Sequence, residues 1–146
     1  MSSAALVASW FARDGAAWDQ AAVDWFAATV WHPQIDWRAI EGGPDDVGLI
    51  QGPDRLRRYY DEWLELFDDI RQEVCEQYDV GDRAVLAMRM KAHARSTDMP
   101  LELDYAMVVE LEDGRIRHGR EYATVEEARA AAERPLAPGV SERPSP

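Results

Sequence analysis

Two carboxylates, Glu121 and Asp104, are the residues of this chain best suited to chemistry, and they fall on two neighbouring stretches of strand pattern. Alternation puts Arg117, Gly119 and Ala123 on the same face as Glu121, and Ile116, His118, Arg120 and Tyr122 on the opposite one. Asp104 can stand across from Glu121 on the adjoining strand. Two carboxylates sharing an aromatic-lined pocket push each other's proton affinities apart, which leaves one acid and one base. A structural reading stands beside this one: Glu121 pairs with Arg117, or with an arginine of segment 84–95. The histidines offer less. His118 lies on the face away from Glu121 and reads as a surface or interface residue. His93 sits among Arg89, Lys91 and Arg95, and His32 reads as a helix-terminal residue. There is no HxxxH, HExxH or CxxC, so no metal site is expected. Without GxSxG, GxGxxG or a Walker sequence, nucleotide binding and serine-hydrolase chemistry lack support, and no cofactor is expected.

The elements that must position these residues can be read from spacing. Glu112-Asp113-Gly114 lies between two alternating runs, and Asp-Gly tolerates the positive φ of a tight hairpin turn. The hairpin leads into a short helix over 125–133. Upstream, helices are predicted over 3–13 and 17–31, the second stopped by His32-Pro33. A short strand follows at 35–38, then a loop over 41–52 rich in Gly, Asp and Pro. Pro53 and Asp54 open a third helix, where Leu56, Tyr59, Tyr60, Trp63, Leu64 and Phe67 recur at helical spacing. Strands are predicted over 71–80 and 84–95. The order gives an α+β domain with helices on one face of a curved sheet. One domain spans 1–134. Residues 135–146 have few large apolar groups and are expected to be a disordered tail.

The chain has 146 residues, 47% of them hydrophobic, enough for one self-sufficient core. Its 16 basic and 28 acidic residues give a net charge of −12, which argues against nucleic acid and anionic membrane surfaces as partners. No apolar run approaches the ~20 residues of a membrane span. The N-terminus lacks the basic region of a signal peptide, and Cys75 is the only cysteine. A cytoplasmic location is expected.

Four segments follow one another over residues 17–132. They are His32-Pro33-Gln34-Ile35-Asp36-Trp37; Gly52-Pro53 leading into Tyr59-Tyr60-Asp61-Glu62-Trp63-Leu64-Glu65-Leu66-Phe67; Val80-Gly81-Asp82-Arg83; and Asp113-Gly114-Arg115-Ile116 through Arg120-Glu121-Tyr122 to Glu126-Glu127-Ala128. In this order and spacing they resemble the SnoaL-like branch of the NTF2-like superfamily. The resemblance implies a cone, with a strongly curved, mostly antiparallel sheet wrapped around the three helices of the N-terminal half and a pocket between them. Relatives include polyketide cyclases, ketosteroid isomerases, epoxide hydrolases, dehydratases and non-catalytic binding proteins, so function has to come from the site.

Cyclase and epoxide-hydrolase relatives carry an acid/base carboxylate on the last long strand, a place that Glu121 matches. The ketosteroid isomerase base and oxyanion positions fall near Ala39 and Ala106, which cannot do that chemistry. A one-residue slip in the first strand would bring in Asp36 or Arg38. In the cone that the resemblance implies, Trp37, Tyr60, Trp63, Phe67, Met88, Met90 and Arg117 are the candidate pocket lining, and ordinary core is the alternative for most of the apolar ones. Two functions stay open. One is a cofactor-free isomerase, cyclase or hydrolase acting on a small apolar molecule, polyketide- or terpenoid-like. The other is a non-catalytic binding or assembly module. A homodimer joined through the outer face of the sheet is expected in either case.

Overall fold

The computed structural model describes residues 1–134, and the expected tail at 135–146 lies outside the described residues. Helix α1 (Ser3–Phe11) starts where the Ser2 side chain accepts the Ala5 N–H. A 3-10 turn, Arg13–Ala16, leads to α2 (Gln20–Trp25), capped by Asp19 on the Ala22 N–H. The second helix is much shorter than its predicted span. A single π turn, Phe26–Val30, ends it, and the chain enters β1 (Trp31–Arg38). Thr29, Val30 and Trp31 favour extended backbone, and Trp31 finds a strand partner in Ile116. His32 and Pro33 therefore belong to β1 and not to a helix end.

Next come β2 (Ile50–Gln51) and α3 (Pro53–Leu66), with proline in its first turn. Phe67 fits the helical spacing of α3 but is extended, with φ −132° and ψ 147°, and opens β3 (Phe67–Val80). Strands β4 (Arg83–Ala94), β5 (Pro100–Glu112) and β6 (Arg115–Tyr122) and helix α4 (Val125–Glu133) complete the fold. The hairpin turn has the predicted chemistry, with positive φ at Asp113 (55°) and Gly114 (75°). The architecture is α+β: one open, curved sheet in the order β2-β1-β6-β5-β4-β3, antiparallel except where β1 runs parallel to β6.

The two faces bury different sets of residues. The concave face carries Trp37, Leu86, Met88, Tyr105 and Met107 against α1, α2 and α3. The outer face is partly covered by α4, whose Ala128 and Ala132 pack on Val85 and Ala106. Helices thus lie on both faces, where the element order suggested one. No described helix is long and apolar enough to cross a membrane.

One irregularity decides the site. Pairing between β5 and β6 shifts from Leu111↔Ile116 to Glu110↔His118, which makes Arg117 an extra residue in β6. Ile116 is buried in the concave-side core, not grouped with His118, Arg120 and Tyr122 as strict alternation predicts. Beyond the bulge Glu121 pairs with Met107 and faces inward with it.

Candidate functional site

Glu121 projects from the last turn of strand register in β6 into the concave side. Its Oε2 accepts a hydrogen bond from the indole Nε1 of Trp37 at 2.8 Å. Trp37 reaches it from β1 because its partner in the parallel ladder is Gly119. A Cβ at Gly119 would lie 2.0 Å from the Trp37 ring, so only glycine leaves space for the indole. The space beside Glu121 that a residue without a side chain leaves is thus filled by Trp37, not open to a ligand.

Glu121 is half-buried as a residue, yet its carboxyl is surrounded deeply enough that loss of hydration dominates its proton affinity. Its pKa is raised to about 7: burial is the main cause, the Trp37 N–H opposes it, and the nearby Asp45 charge adds to it. Among the described residues no cation pairs with Glu121. Arg117 instead donates to the Gln34 carbonyl at 2.6 Å and to Asp36 at 3.4 Å. Arg83 pairs with Glu110 at 2.9 Å, Arg89 with Asp104 at 2.8 Å, and Arg95 with Asp68 at 2.6 Å. The structural ion pair considered for Glu121 is thus not formed, and Arg117 does not join the Glu121 site.

Asp104 does not join it either. It is exposed on the outer face, where the Arg89 guanidinium holds its carboxyl below the usual range. The second carboxylate near Glu121 is Asp45, which sequence reasoning left in a loop. Asp45 Oδ2 accepts from the Tyr59 hydroxyl at 2.5 Å. Tyr59 and Tyr60 come from consecutive positions of α3, and Tyr60 stacks on Trp31 with ring centres 6.0 Å apart. Tyr105 of β5 donates to the buried Gln72 Oε1 at 2.5 Å. All three phenols are pushed up from their ordinary pKa, first by burial and next by the Glu121 charge, and stay protonated as donors. Burial and the Glu121 and Asp45 charges raise Tyr60, and among the described residues its hydroxyl makes no hydrogen bond, so its proton can serve a ligand.

The remaining expected lining residues divide. Met88 and Met90 are buried on the concave face. Trp63 and Phe67 pack together, ring centres 5.3 Å apart, at the other end of the sheet. Phe67 pairs with Ala94, whereas the row of Glu121 passes through Met107 to Leu86. The separation is about 26 Å along β4. Phe67 borders a separate cleft of about 490 Å³ with Trp18, Leu64 and Ile70. Two further clefts, of about 360 and 420 Å³, lie beside α4 on the outer face. Glu121 lines none of the three.

Metal-type ligands come together once among the described residues, at His32, Glu112 and Asp113, within 4.8 Å of one another. His32 Nδ1 accepts the Gln34 N–H at 3.0 Å, so a neutral ring carries its proton on Nε2, which faces Glu112 at 3.2 Å. That tautomer ties β1 to the hairpin turn and offers a metal no lone pair.

The sequence model of the SnoaL-like domain family matches residues 5–119. No curated protein is similar enough in sequence to count as a match. Among solved structures, an NTF2-like protein of Burkholderia thailandensis superposes with a TM-score of 0.66 at 23% identity, over 92% of this chain and 99% of its own. A Mesorhizobium loti protein provisionally assigned as a SnoaL-like polyketide cyclase gives 0.63 at 21%, over 84% and 99%. TerC, crystallised with polyporic acid, gives 0.64 at 17%, over 89% and 96%. At these identities the likeness extends to the fold alone.

Proposed function

We propose, with the chain's membership of the SnoaL-like domain family as the premise, that this protein binds a small, largely apolar molecule on the concave side. There it performs cofactor-free acid/base chemistry of the isomerase, cyclase or hydrolase kind. One observation carries the reading: Glu121 is an inward carboxyl without a cation partner among the described residues, held by the Trp37 N–H, with a pKa raised to about 7. A carboxyl of that proton affinity donates and accepts protons equally well near neutral pH. Tyr60, protonated and free to donate, is suited to polarise a carbonyl or epoxide oxygen of the ligand as charge develops there. Trp31, Trp37, Met88 and Met90 supply apolar surface around it.

The chemistry is tested by Glu121→Gln. The isosteric amide should preserve the fold and lower turnover by about 10²-fold or more. Native mass spectrometry of the purified protein, searching for a ligand carried through purification, supplies the substrate. A wild-type rate in the Gln variant would end the acid/base reading.

A second reading, a non-catalytic binding or assembly module, is favoured by the position of the three clefts away from Glu121. It predicts that no ligand is carried through and that Glu121→Gln changes only stability. The proposal in either form includes a homodimer. With α4 over part of the outer face, the surface left for a second copy is a charged strip including Arg89, Lys91, Glu102 and Asp104. Such a contact should weaken with salt, and sedimentation at micromolar concentration showing monomer alone would remove it. The single exposed cysteine, Cys75, supports a reducing, cytoplasmic setting.

A further inference from the structure

The bulge in β6 sends two consecutive side chains to one carboxylate of β1. His118 Nδ1 lies 2.8 Å from Asp36 Oδ1, and Arg117 reaches Asp36 Oδ2 at 3.4 Å. An ionised carboxylate only accepts, so His118 carries a proton on Nδ1 and titrates at Nε2. His118 borders the outer-face cleft of about 360 Å³, together with Arg120 and Tyr122 from alternate positions of the same strand.

Positive charge is in excess around this cleft, in a chain whose net charge is −12. Arg38 and Arg120 are tied to Asp46 and Glu41 of the loop after β1, and Arg83 of β4 to Glu110 of β5. Arg117 and His118 share Asp36, and Arg134 lines the cleft from the end of α4. Five arginines thus meet four carboxylates at the cleft, and protonation of His118 adds a further positive charge. Arg83 also donates to the carbonyls of Ala131, Ala132 and Arg134, which offsets the negative end of α4. The remaining wall is apolar, with Val108, Ala131 and Leu49, the last of them 52% exposed.

We propose that this cleft is a second binding site, for a small organic carboxylate whose charged end is held by His118 and Arg120 and whose apolar body lies against Leu49 and Val108. Protonated His118 offers its Nε2–H to the anion, and Arg120 keeps donors beyond the one it gives to Glu41. Glu121 faces the concave side, so the sheet separates the two sites.

The site is pH-dependent. The hydrogen bond to Asp36 raises the proton affinity of His118; burial opposes it, the Asp36 charge adds to it, Arg117 lowers it, and Glu110 across on β5 adds to it. Arg38, Arg83, Arg120 and Arg134, which face His118 from β1, β4, β6 and α4, keep their charge throughout. The carboxylate therefore binds best while His118 is protonated, and affinity falls as pH rises through the His118 midpoint. By reciprocity the bound carboxylate moves that midpoint up.

Proton NMR of the full-length protein tests this with benzoate as the probe and benzamide as its neutral counterpart. Benzoate should raise the titration midpoint of His118, assigned through His118→Gln, and leave those of His32 and His93 in place. Benzamide should move none of them. Benzoate should bind about tenfold more weakly at pH 9 than at pH 6, and His118→Gln should show the weaker affinity at both. Acetate, which lacks the apolar body, should bind more weakly than benzoate. Glu121→Gln should keep the affinity for benzoate and its pH dependence, so the fate of the proposed chemistry and that of this site are read separately. An unmoved His118 midpoint, equal affinity at the two pH values, benzamide binding as well as benzoate, or amide shifts centred on Met88 and Met107 of the concave face would each overturn the proposal.

Discussion

Trp37 and Glu121, 84 positions apart in the chain, are joined by a 2.8 Å hydrogen bond across the parallel β1–β6 ladder, over the bare backbone of Gly119. The indole supplies a neutral donor to a carboxyl that has lost much of its hydration. It lowers the cost of ionising Glu121 without cancelling it, which places the group between acid and base near neutral pH.

Gly119→Ala should damage both fold and site. The added methyl meets the Trp37 ring at 2.0 Å, so the indole or the strand has to move. A loss of about 1–3 kcal/mol is expected from overpacking, with a changed tryptophan emission as Nε1 leaves Glu121. Urea unfolding followed by fluorescence measures both; a variant as stable as wild type with unchanged emission would contradict this geometry.

Glu121 should make stability fall as pH rises. Its folded pKa of about 7 lies above the ordinary glutamate value of 4.5. Below 4.5 the carboxyl is protonated in both states and costs nothing. From there upward the unfolded chain releases the proton while the fold retains it, and stability declines until the folded group ionises near 7. The full loss is on the order of 3 kcal/mol. Denaturation at pH 5 and pH 8 should show the decline in wild type and a much smaller one in Glu121→Gln. Equal slopes in the two proteins would place the titrating group elsewhere.

Tyr105→Phe should cost about 1–3 kcal/mol, because it leaves the buried Gln72 amide oxygen without its donor. Thermal unfolding reads the loss. The double variant Tyr105→Phe with Gln72→Met should recover part of it, since removing both partners leaves no orphaned polar group. No recovery would mean that the bond is not what the tyrosine contributes.

Asp104→Asn should leave ligand binding and turnover unchanged, because Asp104 and Arg89 lie on the outer face. A loss of activity comparable with that of Glu121→Gln would require the two carboxylates to share a site after all.

Much of this was open to reading from sequence. The helical spacing of Leu56, Tyr59 and Tyr60 marks the buried face of α3. Asp113-Gly114 makes the turn it announces, and α4 ends where its pattern ends. These features rest on neighbours within a few residues, so local chemistry decides them. Strict alternation sets Ile116 on the face opposite Glu121, whereas Ile116 lies in the concave-side core, and the partners of Glu121 were not legible either. Counted from the two-residue turn, Glu121 pairs with Ala106 and shares a face with Asp104. The extra residue at Arg117 shifts that partner to Met107 and turns Asp104 outward.

Asp45 carries no periodic signal, and nothing local distinguishes it from Asp46, which folds the loop instead of approaching Tyr59. Trp37 reads as an ordinary core aromatic until β1 is laid beside β6. Local propensity thus determined which elements form and which side chain types they carry. Strand register, one bulge and the course of one loop decided which of those side chains meet, because such contacts join residues far apart in the chain and no short window of sequence contains both partners.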